Sequence, residues 1–393
     1  MNELSPQNGS LVVQDLSKRF KARKSPPISA LESVSFHVDP GEVLALLGPS
    51  GSGKTTTLRI IAGLETPDSG RVLIGKTDLV STPPARREIG MTMQEPTALP
   101  HLTVRENLDL GLRFERVRSE DRHERLSRIA ERLGIFGLLD RYPHELSVGQ
   151  KQRVSLGRAL IGRPRALLFD EPCQCLDPGR RADLREEIRR VVHWADIPAV
   201  LVTHDPYEAL LVADRIGVMQ SGRLTQIGSA DEVYRRPTTV DNAILLSPLG
   251  LNQIEGEIWT EESSTSFRSK CGRIQTALTL RDNAPAPSQN YPVPAILALR
   301  PDEVQLAPVD ASNSQRCGEV LESCPKGPFL HSRVRFGSEE WGIVEPKTSK
   351  PFEQGHAVNA GFADQGGLLF ELETGALTPF VVQSTDPDDP NKN

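Results

Sequence analysis

The sequence predicts an α/β domain, a parallel sheet covered by helices, followed by a separate β-rich region. Three observations carry that expectation. A glycine-rich loop, Gly48-Pro49-Ser50-Gly51-Ser52-Gly53-Lys54-Thr55-Thr56, stands between an apolar strand and a helix. Buried apolar runs then alternate with amphipathic helices as far as Ala213. From about residue 244 the long helical patterns give way to short strands separated by Gly, Pro, Asn and Ser, the texture of small β-barrels.

Taken in order, residues 1–10 read as a polar leader, and Leu11–Val13 and Val34–Val38 as strands. Between them lies a basic, proline-containing loop, Lys18 to Pro27, whose one aromatic residue is Phe20. The unbroken apolar run Val43–Leu47 predicts a strand buried on both faces, and the segment from Thr57 to Ala62 predicts a helix. After a turn at Pro67–Gly70, further strands are expected at Arg71–Ile74 and Ile89–Met93, the second running into Gln94. Residues 103 to about 135 read as helical and charged, opening on the capping box Thr103-x-x-Glu106. Ala166–Phe169 is an apolar strand ending in Asp170 and Glu171. Gly179 to about Ala195 is an amphipathic helix; Ala199–Thr203 is a buried strand ending at His204, and Asp205–Ala213 its helix. Ser229–Tyr234 closes this domain before Pro237. In the β-rich part the expected strands are Gln253–Trp259, Arg273–Leu280, Ala295–Leu299, Ser332–Phe336 and Gly367–Leu372. The expected organisation is a leader at 1–10, an α/β domain at 11–240 with a helical subdomain at about 95–160, a β-rich domain at 244–382 and a disordered tail at 383–393.

Bulk properties narrow the class. A chain of 393 residues, 37% hydrophobic and 25% charged, suits two or three globular domains. The net charge of −6 gives no general attraction to nucleic acid or to an anionic membrane. The start lacks a basic n-region and an apolar h-region, and no apolar run is long enough to span a bilayer. Five cysteines without a regular framework point to reduced thiols in a cytoplasm. Any membrane role then comes through a partner.

The loop at 48–56 carries the first piece of chemistry. Its glycines let successive N–H groups turn inward on an anion, and the following helix adds the positive end of its dipole. Lys54 can bridge the outer phosphates of a nucleoside triphosphate, and the Thr55 hydroxyl can ligate Mg²⁺. Asp170 and Glu171 end a strand of the same sheet. Asp170 is placed to hold Mg²⁺, and Glu171 to polarise a water in line with the γ-phosphate as a general base. A pair of acids at a strand end is more often simply solvated; the phosphate loop in the same sheet reverses that balance. Gln94 and His204, each at a strand end, are candidates to sense the γ-phosphate, the attacking water and, for Gln94, the metal. Phe20 is read either as a core residue or as a platform for a nucleotide base, a stack worth about 1–3 kcal/mol. Leu146-Ser147-Val148-Gly149-Gln150 reads as a capped helix start, with Ser147 as N-cap and Gln150 completing a capping box. Such a terminus is also an anion site. A second phosphate site in a domain that already has one suggests a nucleotide sandwiched between two copies of the chain.

The order of Phe20, the Gly48–Thr56 loop, Gln94, Leu146–Gln150, Asp170–Glu171, Asp177 and His204 resembles the nucleotide-binding subunit of an ABC transporter over about residues 11–240. The resemblance implies ATP with Mg²⁺ and a head-to-tail homodimer, in which Ser147 and Gly149 of one copy touch the γ-phosphate on the other. It also implies roles for Phe20 under the adenine, for Gln94 as the Q-loop, for Asp177 in the D-loop and for His204 as the switch. Pro100–Leu108 is similar to the region of bacterial importers near which their membrane subunits dock. Leu299–Val304 resembles the "RPE" element of the OB-like domains appended to importers of sugars, polyamines and oxyanions. Ser247–Asn252 is similar to a segment of carbohydrate importers of the maltose and glycerol-3-phosphate type. The expected activity is therefore ATP hydrolysis coupled to import, of a sugar-type solute, or alternatively of a polyamine, iron or an oxyanion. The expected partners are two transmembrane permease subunits and, indirectly, an extracytoplasmic solute-binding protein, with the chain peripheral on the cytoplasmic face of the inner membrane. Nucleic acid is not expected, because the β-rich part lacks a basic aromatic face. A soluble repair or translation ATPase would show a long coiled-coil insertion or two nucleotide domains, and neither is present.

Three positions depart from the family pattern. Val148 replaces a glycine of LSGGQ, Gln174-Cys175-Leu176-Asp177 replaces Ser-Ala-Leu-Asp, and Met93 replaces a phenylalanine. Cys173-x-Cys175 offers too few ligands for a metal. Valine resists the left-handed region. Either the loop at Val148 uses ordinary β-region dihedrals and valine is tolerated, or it is displaced and hydrolysis slows; the expectation is an active but slow ATPase.

Overall fold

The computed structural model describes residues 9–21, 27–93, 98–113, 118–174, 176–261, 264–272, 274–280, 292–309, 317–347, 351–362 and 367–382. Gln94, Cys175, nearly all of the expected leader and the expected tail at 383–393 lie outside the described residues. The chain divides into two compact units, Met1–Val233 and Tyr234–Asn393.

The first unit opens with β1 (Leu11–Phe20), β2 (Ile28–Val38), β3 (Val43–Leu47), α1 (Lys54–Ala62), β4 (Ser69–Ile74), β5 (Thr77–Asp78) and β6 (Ile89–Thr92). It continues with α2 (Val104–Arg113), α3 (Ser119–Arg132), α4 (Val148–Ile161), β7 (Ala166–Asp170), α5 (Pro178–Ala195), β8 (Ala199–Thr203), α6 (Pro206–Val212), β9 (Arg215–Gln220), β10 (Arg223–Ser229) and α7 (Ala230–Arg235), which leads into the second unit. Its main sheet has six strands in the order β10-β9-β3-β8-β7-β6, all parallel except β10. Every residue of β3 and β8 is buried, as expected for strands with helices on both faces. A second, antiparallel sheet, β2-β1-β4-β5, packs through Leu11, Val13, Val34 and Val72 into one core with Leu44, Leu46, Leu58 and Ile60.

The register of the main sheet decides where chemistry can occur. Leu47 pairs with Thr203, and Asp170 with Val202, so β3, β8 and β7 end side by side. The segments that leave those three ends are the glycine-rich loop, the His204 turn and Asp170–Glu171. Ligands of parallel α/β sheets bind at this carboxyl edge, where the helices on neighbouring strands depart in opposite directions.

Two expectations in this unit change. β1 and β2 are longer than the apolar runs suggest, because the polar Ser17–Phe20 stretch continues the antiparallel ladder until Phe20 faces Ile28. Lys18, Arg19 and Phe20 thus belong to a strand and not to a loop. The helical stretch from 103 is two helices, α2 and α3, and its capping box forms: the Thr103 N–H donates to Glu106 Oε2 at 2.8 Å and the Glu106 N–H to Thr103 Oγ1 at 3.3 Å.

The second unit contains α8 (Val240–Leu245), β11 (Asn252–Glu261), β12 (Ser264–Ser269), β13 (Gln275–Leu280), β14 (Val293–Leu299), β15 (Val304–Pro308) and β16 (Cys317–Lys326). β17 (Phe329–Phe336), β18 (Glu339–Pro346), β19 (Ala357–Phe362), β20 (Leu368–Glu371) and β21 (Leu377–Val382) complete it. The small-barrel texture of the sequence is met among the described residues by a closed barrel, β11-β12-β13-β21-β20-β14, together with an open five-stranded sheet, β15-β19-β16-β17-β18. Both are antiparallel and share a core containing Phe267, Leu297, Val334, Phe336 and Trp341. The element beginning Arg300-Pro301-Asp302-Glu303 has a clear physical role. The buried Arg300 guanidinium donates to Glu303 Oε1 at 2.8 Å and to the Tyr234 carbonyl at 2.5 Å, and lies 4.0 Å from the centre of the Tyr234 ring.

Candidate nucleotide site

The glycine-rich loop starts where β3 ends, and its shape forces glycine at two places in particular. At Gly48 a Cβ would stand 2.2 Å from the Met219 carbonyl oxygen. Gly53, the N-cap of α1, has φ 101°, and a Cβ there would stand 2.5 Å from the Ala30 carbonyl oxygen. The loop is pinned from outside by the Gly222 N–H, which donates to the Ser52 carbonyl at 3.1 Å. Lys54 is only 4% exposed and its ammonium donates to the Gly48 and Pro49 carbonyls, both at 2.8 Å. Burial lowers the Lys54 pKa, against the opposing pull of Glu171 and Asp170. The ammonium is thus held inside the loop by carbonyls that a phosphate can replace.

Asp170 ends β7 close to the Thr55 side chain. Burial, and then the neighbouring Glu171 charge, raise its pKa, while Thr55, Arg59 and Lys54 act the other way. A hydroxyl and a carboxylate meeting beside a phosphate loop are hard oxygen donors of the type Mg²⁺ takes. Glu171 follows in the left-handed region, φ 47°, its N–H donating to the Val202 carbonyl at 3.0 Å. That turn brings Glu171 Oε2 to 3.1 Å from His204 Nδ1. Residues on three strand ends, Lys54 and Thr55, Asp170 and Glu171, and His204, therefore form one cluster. Phe20, 41% exposed with the Lys18 ammonium 5.2 Å from its ring centre, faces Ile28 across the β1–β2 ladder. Two residues beyond Ile28, the Ala30 carbonyl borders Gly53, so this aromatic edge leads to the phosphate loop.

Ser147 and Gln150 form the expected capping box on α4: the Ser147 N–H donates to Gln150 Oε1 at 2.9 Å and the Gln150 N–H to Ser147 Oγ at 3.3 Å. Val148 is the first residue of α4 and so helical, not in the expected β region; it is 39% exposed and has no positive φ. The loop therefore uses dihedrals open to any L-residue, and valine fits without displacing it. Open space surrounds the Gly149 Cβ position. Asp177 caps α5, its Oδ2 accepting from the Arg180 N–H at 3.3 Å. Ser147, Gly149 and Gln150 line a cavity of about 210 Å³ with Leu176 and Arg180, and no residue of the 48–56 loop borders it. The anticipated phosphate contacts thus fall into two groups on one chain, the cluster at the strand ends and the capped terminus of α4.

Sequence reasoning passed over a network behind His204. Glu208, buried on α6, accepts from the Thr203 hydroxyl at 2.5 Å, and that hydroxyl accepts from the Asp205 N–H at 3.0 Å. Cys173 is buried beside Glu208, and burial drives its thiol pKa far up, which leaves an unreactive thiol. Arg87 was also missed. Its buried guanidinium caps the end of α1 by donating to the Ile60 and Ile61 carbonyls at 2.6 and 2.8 Å. The usable signal was a charged residue inside an otherwise apolar setting, Glu208 two positions before Leu210-Leu211 and Arg87 just before β6.

A family model described as "ABC transporter" matches residues 31–174. The chain is 35% identical, over 93% of its length and 98% of the relative's, to the sn-glycerol-3-phosphate import ATP-binding protein UgpC 2 of Rhizobium johnstonii. It is 37% identical, over 82% and 83% respectively, to the spermidine/putrescine import ATP-binding protein PotA of Acidothermus cellulolyticus. Other relatives are named for import of Fe(3+) ions and of sulfate or thiosulfate. Among solved structures, a dimeric ATP-binding cassette in a post-hydrolysis state with ADP and Pi superposes with a TM-score of 0.50 at 28% identity, covering 56% of this chain and 98% of that one.

Proposed function

The chain belongs to the ATP-binding subunits of bacterial ABC importers, ATPases that use ATP and Mg²⁺ to power import, and from that premise we propose how its residues share the work and what it helps to import. The observation that carries the proposal is the separation of the phosphate-contacting candidates into two groups on one chain. A head-to-tail homodimer reunites them twice, each nucleotide lying between the loop of one copy and the α4 terminus of the other.

In this reading the 48–56 backbone and Lys54 hold the β- and γ-phosphates, and Phe20 lies under the base. Thr55 and Asp170, with Gln94, would hold Mg²⁺, which would supply positive charge to offset that of the transferring phosphoryl group. Glu171 takes the proton of the attacking water, and His204 orients Glu171 through the contact between them. Ser147, Gly149 and Gln150 of the second copy close on the γ-phosphate, and Asp177 lies at the seam. Two permease subunits receive the resulting motion, fed by an extracytoplasmic binding protein, and the chain works at the cytoplasmic face of the membrane. No helix among the described residues is long and apolar enough to cross a membrane.

For the solute we favour a sugar-type or glycerol-phosphate-type compound, supported by the Ser247–Asn252 segment and by the UgpC 2 relative, over a polyamine, iron or oxyanion. Glu171→Gln should bind ATP and lose hydrolysis by about 10²–10⁴-fold, because a general base is removed while the phosphate loop is intact. Light scattering on that variant with ATP should find a stable dimer, and near-normal turnover would remove Glu171 from its role. Uptake by vesicles holding the whole transporter, offered each solute class in turn, tests the substrate.

A further inference from the structure

The residue after His204 is held by a connection that reaches the turn carrying Asp177. That residue, Asp205, places its carboxylate between two arginines of α5: Arg185 Nη2 is 3.2 Å from Asp205 Oδ2, and Arg181 Nη1 is 3.7 Å from the same oxygen. The other carboxylate oxygen, Oδ1, accepts from the Tyr207 N–H at 2.9 Å and starts α6. Arg181 faces the opposite way as well. Its Nε donates to the Leu176 carbonyl at 2.8 Å, and its Nη2 lies 3.5 Å from the Gln174 carbonyl. Those carbonyls belong to the turn that ends at Asp177, and the Gln174 N–H returns to the Glu171 carbonyl at 3.3 Å. One planar guanidinium thus holds main-chain atoms of this turn on one edge and the neighbour of His204 on the other, a geometry lysine cannot copy.

We propose that Arg181 and Asp205 are a positioning pair, which makes the placement of His204 depend on the conformation of the turn carrying Asp177. The proposal rests on the roles given above to His204 and Asp177. Asp177 stands at the seam between copies, so a shift there on docking of the second copy pulls the Leu176 carbonyl, Arg181 and Asp205 in sequence. His204 then moves relative to Glu171, to which it already lies 3.1 Å. Neither arginine touches nucleotide in this scheme; each acts through His204. The arrangement allows hydrolysis in one site to sense whether the second copy is seated.

The test is a double-mutant cycle on the full-length chain, with kcat and ATP Kd measured for Arg181→Met, His204→Ala and the pair. Arg181→Met should lower kcat about ten-fold with Kd unchanged, and should change the residual rate of His204→Ala less than about two-fold, since contacts in one network are not additive. A general structural role would lower both backgrounds by the same factor, and that result, or full activity of Arg181→Met, would overturn the proposal. Asp205→Asn keeps the cap oxygen for the Tyr207 N–H and removes the charge; it should give the same non-additive pattern and carries the test if Arg181→Met does not fold. Normal turnover by His204→Ala is a separate outcome: it would overturn the role of His204 itself, and the positioning pair with it.

Discussion

Val148 separates what a side chain does to its own fold from what it does to a partner. It occupies the first turn of α4 with ordinary dihedrals and is 39% exposed, so the fold meets no strain there. Its branched side chain nevertheless stands beside Ser147 and Gly149, where the second copy's phosphate arrives in the proposed dimer. Val148→Gly should therefore raise kcat several-fold with little change in ATP affinity, because in the proposed scheme affinity is set by Lys54 and its loop within one copy. Steady-state turnover with the permease present, alongside nucleotide titration, checks this; an unchanged or lower kcat would show that valine is no brake. At this scale the site was legible wherever chemistry is local in sequence. Gly48, Gly53, Lys54 and the Ser147–Gln150 box each follow from a few adjacent residues and a known backbone need. Arg181 and Asp205 are 24 positions apart, and only the pairing of β7 with β8 brings them together, which no local pattern encodes.

In the proposed dimer α4 is the element on which cap and phosphate contact coincide, and two substitutions pull them apart. Ser147→Ala removes the side-chain acceptor for the Gln150 N–H and should cost about 1 kcal/mol of stability. Ser147→Gly should cost only a few tenths of that order, because glycine is itself an acceptable N-cap. Both lack the hydroxyl, so both should lose turnover, while thermal denaturation separates them. Equal turnover to the parent in either variant would leave Ser147 as a cap and nothing more. Element types were readable from period and burial for β3, β7, β8 and α5. The apolar pattern marks only part of β1 and β2, because Ser17–Phe20 carries no apolar alternation although its ladder to β2 continues. Left-handed Asp15 and Ser33 also sit in these strands at irregularities of register, which break the period-2 pattern.

For the whole molecule, the second unit has its own core, and most of it was hard to see in advance. β12 and β16 read as polar or mixed segments, and their burial comes from closing a barrel and stacking a sheet, not from their own composition. Arg300 is the exception, a buried cation whose satisfaction by Glu303 and the Tyr234 carbonyl needs a specific fold. Arg300→Met should destabilise the second unit by about 1.5–3 kcal/mol, the worth of hydrogen bonds to a charged group, readable as a lower unfolding midpoint. A chain ending at Thr239 should still fold and bind ATP, because every residue of the strand-end cluster lies in the first unit. Loss of nucleotide binding by that truncation would show that the first unit cannot stand alone.

The central claim is that each working site takes its two halves from different copies. Lys54→Ala inactivates one half and Ser147→Arg the other, and each variant should be inactive by itself. Co-expressed with two different affinity tags and purified through both, they form mixed dimers in which one site combines the intact loop of one chain with the intact α4 terminus of the other. The account predicts that these mixed dimers hydrolyse ATP although neither parent does. Mixed dimers as inactive as both parents would contradict it.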